Sequence, residues 1–223
     1  MKLFLFTILL LFFLLECGVR QRYIISISGP REGAILSSDT VSVSFSVSPE
    51  DWFEKGYQIH VLLDRDHFRS LDKNLHITYS GLTQGAHALF AFICDRNGIA
   101  IKGDSALVIR NFFAFQKSDP LIDVKQPLLI VNQPQKEKFR GDEGLRILFD
   151  FIVLNARLGK THRLHYNLDG KDFYLEQEKP VWIEEARRIG RHKLTVMLEK
   201  MDGQLSAENP FNKISKEFLV VEK

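Results

Sequence analysis

Cysteine is almost missing from this chain: Cys17 and Cys94 are the only two in 223 residues. No disulfide framework is available, so an apolar core has to hold the fold. A surplus of charge is missing as well. The formal net charge is +2, and basic and acidic residues nearly balance both in 24–117 and in 118–223. Neither half carries the field that would draw it to nucleic acid or to an anionic surface. No segment shows an apolar stripe at helical spacing, which argues against a helical bundle. There is no Gly-x-Ser-x-Gly elbow, no phosphate-cradling glycine loop and no His-Glu-x-x-His. Chemistries that depend on those spacings have no footing, and the chain reads as a non-enzyme that needs no cofactor.

Long apolar runs are also missing, with one exception. Leu3 to Leu15 follows Lys2 and is about 13 residues long, which matches a secretory core and falls short of the roughly 20 that a membrane-spanning helix needs. It ends in Leu14-Leu15-Glu16-Cys17, with no small-x-small cleavage site. This end resembles a bacterial lipoprotein leader, although Glu16 stands where that pattern has a small residue. The resemblance implies a signal segment over 1–17, a lipid on Cys17 and attachment to a membrane of the cell envelope. Without the lipid, the protein would be periplasmic or secreted.

What the sequence does contain is a repeat. His60, Leu63-Asp64, Phe68, Gly85, His87, Leu89 and Gly98 recur as His165, Leu168-Asp169, Phe173, Gly190, His192, Leu194 and Gly203, displaced by 105 residues without a gap. Upstream the displacement is 104, which pairs Pro30 with Pro134, Ile35 with Phe139, and Val41, Val43, Phe45 and Val47 with Leu145, Ile147, Phe149 and Phe151. Serines alternate with those valines at the two-residue period of a strand with one buried face. Each copy reads as six or seven short strands punctuated by turn residues such as Asn97-Gly98 and Asp202-Gly203. The expected fold is all-β: two tandem immunoglobulin-like β-sandwich domains after the signal segment, over 23–117 and 118–223. Leu-Asp, an edge strand, Gly-x-His-x-Leu and a further strand closed by Asn-Gly or Asp-Gly together resemble bacterial Ig-like or fibronectin-III-like modules. Both copies lack the cysteine pair and central tryptophan of antibody domains.

Candidate chemistry is sparse. His87 and His192 share the parity of the inward Leu89 and Leu194, which suits a structural histidine bonded to a turn carbonyl. His162 and His165 are three apart on a strand, so they face opposite ways and make no zinc pair. Asp64, Asp66, Asp169 and Asp172 suit turns better than a calcium loop. Cys94, replaced by Glu199 in the second copy, reads as a packing residue. The copies differ most on one outward face: Ala88, Phe90, Phe92 and Cys94 stand where the second has Lys193, Thr195, Met197 and Glu199. With Leu62 and Phe112 added, Phe90 and Phe92 form an apolar interface patch, covered either from within the chain, by the second domain, an early loop or the tether after the leader, or by an external partner. Trp52, Phe53 and Trp182 are candidates for stacking on a sugar. The sequence therefore predicts an exported binding or spacer module whose partner is a protein or glycan of the envelope. A carbohydrate-binding sandwich and a small hydrolase on a sandwich scaffold are its rivals.

Overall fold

The computed structural model describes residues 22–65, 67–206 and 209–222; the leader, Cys17 and Asp66 lie outside them. The first half holds β1 (Ile24–Gly29), β2 (Ala34–Leu36), β3 (Val41–Ser48), β4 (Gln58–Leu63), β5 (His67–Leu71), β6 (His76–Tyr79), β7 (Gly85–Cys94) and β8 (Leu107–Ala114). The second repeats the plan with β9 (Leu128–Gln133), β10 (Lys138–Arg140), β11 (Ile147–Leu154), β12 (His162–Leu168), β13 (Lys171–Leu175), β14 (Val181–Ile183), β15 (Gly190–Lys200) and β16 (Lys213–Val221). Each half is an Ig-like sandwich of a three-stranded and a five-stranded sheet: β1-β3-β6 against β2-β8-β7-β4-β5, then β14-β11-β9 against β10-β16-β15-β12-β13.

Alternation builds both cores. Val41, Val43, Phe45 and Val47 point into the first core while their serine neighbours lie outside. Leu164, Tyr166 and Leu168 on β12 and Leu194, Val196 and Leu198 on β15 fill the second. Other strands do not alternate: β7 from His87 onward and β9 from Leu128 to Asn132 are buried on both faces. A continuous apolar run of this kind means that something covers the sheet's outer side.

That cover is the other module. The outer face of the first five-stranded sheet packs on the outer face of the second three-stranded sheet. Leu62, Phe90, Phe92 and Cys94 meet Leu128, Ile130, Ile152 and Phe211, with Ile122 of the connecting segment among them. The chain is thus a stack of four sheets with three apolar interlayers. The two faces left outside are polar: Ser26, Ser42, Ser44 and Ser46 at one end, and Lys193, Thr195 and Glu217 at the other.

Two parts of the expected repeat alignment are corrected. Ile25 pairs with Val47 in β1–β3, whereas its counterpart Leu129 pairs with Val153. Here the true displacement is 106, not 104. A two-residue slip keeps every side chain on its own face, so alternation cannot detect it. Ile35 and Phe139 are not equivalent either, because Ile35 is 54% exposed and Phe139 belongs to the second core.

Candidate functional site

The shared residues form a clamp in each module. Asp64 ends β4 in a left-handed conformation (φ 54°). Its carboxylate accepts a bond from the Ala88 N–H at 2.9 Å and one from His87 Nδ1 at 2.8 Å, while His87 Nε2 reaches the Thr83 carbonyl at 2.8 Å. Asp169, Lys193, His192 and Arg188 reproduce this at 2.8, 2.6 and 2.7 Å. Gly85 and Gly190, at φ 116° and 139°, start the strands at backbone angles that a side chain would strain. Each imidazole stacks on a phenyl ring, of Phe112 or Phe218, 5.4 Å away. Both ring nitrogens face acceptors, so neither histidine offers a free nitrogen to a substrate or metal.

The hydrogen bond to Asp64 raises the His87 pKa, against the opposing effect of burial. Folding therefore favours the imidazolium, and that stabilisation is complete below about pH 6.5, the ordinary histidine value. It fades as pH rises through the raised folded value. Asp64→Ala strands the His87 and Ala88 donors, which costs about 1–3 kcal/mol. Urea unfolding across pH should show the gap between parent and variant narrowing from acid to alkali; a constant gap would contradict the pairing.

His162 and His165 are also tied to the scaffold. His162 is buried, bonded to Ser206 Oγ at 2.9 Å. His165 faces the opposite side and contacts Glu199 at 2.7 Å and Asp172 at 2.8 Å. Among the described residues no group of three or more potential ligands is placed to hold a metal.

Of the covers expected for the apolar patch, the second module is the one found, and one of the four patch residues lies elsewhere. Leu62, Phe90 and Phe92 lie at the module junction, with Phe211 4.8 Å from Phe90. Their cover is internal, so they present no surface to an outside partner. Phe112 is not part of the patch: it pairs with the inward His87 and sits in the first core. Directly paired residues share a face, so the outer residues of β8 are Leu107 and Ile109, opposite Phe92 and Phe90. Beside this cluster runs a buried polar network that sequence reasoning missed. His60 Nδ1 donates to Asn132 Oδ1 at 2.7 Å, and Asn132 Nδ2 donates to the Asp150 carboxylate at 2.6 Å and to the Gly98 carbonyl at 2.7 Å. Asp150 also accepts from the Ala100 N–H at 2.9 Å and from Lys102 Nζ at 3.0 Å; Lys102 donates to the Phe151 carbonyl as well. The available signal was a polar residue at outward parity in each of two otherwise apolar strands, Leu-Leu-Ile-Val-Asn and Phe-Asp-Phe-Ile-Val.

Of the three candidate stacking residues, one is available. Trp52 is 4% exposed and packed into the first core, because its 3-10 turn folds onto β3. Phe53 is half-buried against that core, with Lys73 Nζ 5.5 Å from its ring centre. Trp182 on β14 is 51% exposed. It pairs with Leu148 on the sheet face that meets the first module. A groove lined by Trp182, Leu148, Phe139 and Pro134, with Lys136, Glu143 and Arg146, reaches Asn97 of the first module. A second groove shares Trp182 and Arg146 and adds Glu184 and Arg187. Together they set an exposed indole among charged and amide side chains at a module boundary, and a pocket with an aromatic wall and convergent polar groups is a common form of binding site.

No family model matches the chain, and none of the curated proteins matches it. Among solved structures, it is similar to fibronectin(III)-like modules of CbhA from Clostridium thermocellum, at 14% identity and a TM-score of 0.33 over 89% of this chain and 95% of that one. A Ca2+-stabilized, ice-binding adhesin of an Antarctic bacterium matches at 9% identity and a TM-score of 0.25, over 91% of this chain and 49% of the adhesin. The Bacteroides ovatus mixed-linkage glucan utilization protein SGBP-B matches at 10% and 0.25, over 89% and 70%. At these scores the likenesses carry no weight for function; the assignment to all-β, tandem Ig-like sandwiches rests on strand order and register.

Proposed function

We propose that the chain is an exported binding protein of the bacterial cell envelope, attached to the membrane through a lipid on Cys17 and holding a glycan against Trp182. The observation that carries this reading is a half-exposed tryptophan on a sheet face, beside a groove that crosses the module boundary. An indole left in water offers a large flat apolar surface to a sugar ring at little entropic cost. Binding is favoured over chemistry because the clamp histidines spend both ring nitrogens on their own scaffold. It is favoured over spacing because modules stacked face to face lose the reach that end-to-end modules would give.

The full chain is expected to bind on a glycan array, and Trp182→Ala to abolish binding while changing stability by no more than about 0.5 kcal/mol, as exposed substitutions do. Silence of the parent on the array would overturn the glycan reading; undiminished binding by the variant would overturn the site. For attachment, Cys17→Ser should stop incorporation of labelled fatty acid and release the chain from membranes. Unchanged membrane attachment would remove the lipid.

A further inference from the structure

Resting on that reading, we infer that the ligand at Trp182 is an acidic glycan, a saccharide with a carboxylate on or next to the ring that stacks on the indole. The charges around the grooves carry this. Glu143 is held by Lys136 at 2.8 Å and Glu184 by Arg187 at 3.1 Å, so both groove carboxylates are matched by cations of their own. Arg146 is different: it is exposed, lines both grooves beside Trp182, and its guanidinium makes no ion pair or hydrogen bond among the described residues.

The fold brings the two together. Leu148 is directly opposite Trp182 and Ile147 opposite Ile183. Arg146 immediately precedes β11, and it lines both grooves together with the indole. A guanidinium presents a planar fork of donors that matches a carboxylate two bonds at a time and cannot lose its charge. An aromatic platform with one uncompensated fork at its edge selects a flat sugar that carries an anion. Asn97 and Gln133, lining the same groove, supply amides suited to ring hydroxyls.

The test is native affinity electrophoresis of the full chain in gels containing polygalacturonate or alginate, with dextran and hydroxyethyl cellulose as neutral polymers. Both acidic polymers should retard the parent, less so at high salt, and the neutral ones should not. Arg146→Gln should weaken retardation about tenfold to a hundredfold, the effect of one hydrogen-bonded charge, and Trp182→Ala should abolish it. Lys125→Gln, the same charge change at an exposed residue outside both grooves, should leave it intact. Equal retardation by neutral polymers, or equal loss from Arg146→Gln and Lys125→Gln, would overturn the acidic ligand and leave the Trp182 site standing. Retardation by none of the polymers would overturn both.

Discussion

Phe90→Ser should lower the unfolding free energy by about 3–5 kcal/mol, the range for removing a fully buried phenyl ring. Phe90 belongs to neither module's own core. It lies between them, against Phe211 and the apolar side chains of β9 and β11. The loss therefore falls on the junction. A buried hydroxyl there finds no partner in an apolar cluster, which adds to the cavity term. Calorimetry should show the consequence directly: one transition for the parent, and two separated transitions for the variant as each module unfolds by itself. A variant that keeps a single transition at the parent's midpoint would show that the junction does not couple the modules.

Asp150→Ala should cost about as much, 3–5 kcal/mol, the usual result of removing one partner of a buried ion pair. Asp150 is wholly enclosed, and its two oxygens serve Lys102 Nζ, Asn132 Nδ2 and the Ala100 N–H. Taking the carboxylate away leaves two buried donors unmatched and the half-buried Lys102 cation without its counter-charge, far more than the loss of one favourable contact. Lys102→Met in the same background should recover part of the loss by removing the stranded charge, and chemical denaturation of the double variant measures that recovery. If the single variant were as stable as the parent, the network would be dispensable to the junction.

The parts of this structure that were readable in the sequence are those written in period and repetition. Side-chain parity placed His87 and His192 inward and the serines of β3 outward, and the two copies agreed. What the sequence concealed depends on contacts between distant segments. Trp52 stands in a connecting turn, where exposure is the usual expectation, but the turn folds back and buries it. Phe112 faces inward because of its pairing with His87, a register that needs the β7–β8 hairpin to be known residue by residue. The slip from 104 to 106 leaves parity unchanged and is invisible to a periodic reading. At the candidate site, Trp182 was legible as an aromatic on an edge strand, but Arg146 was not, since only the pairing of β11 with β14 brings it beside the indole. The cover over Phe90 and Phe92 was half visible: an apolar outward face demanded a partner, and the apolar runs of β9 and β11, broken on that face by Asn132 and Asp150, were that partner's mark.

The central claim is that the modules stack sheet on sheet, and Cys94 measures it. Cys94 is free, 0% exposed, and lies on the outer face of β7 within the junction cluster. Burial pushes its thiol pKa well above the ordinary range, which suppresses the reactive thiolate as well as access. Alkylation of the native chain, with the modified cysteine identified by peptide mapping, should find Cys94 unlabelled until denaturant is added. Labelling of native Cys94 at the rate of an unhindered cysteine would mean that the outer face of β7 is open to water and that the modules do not stack.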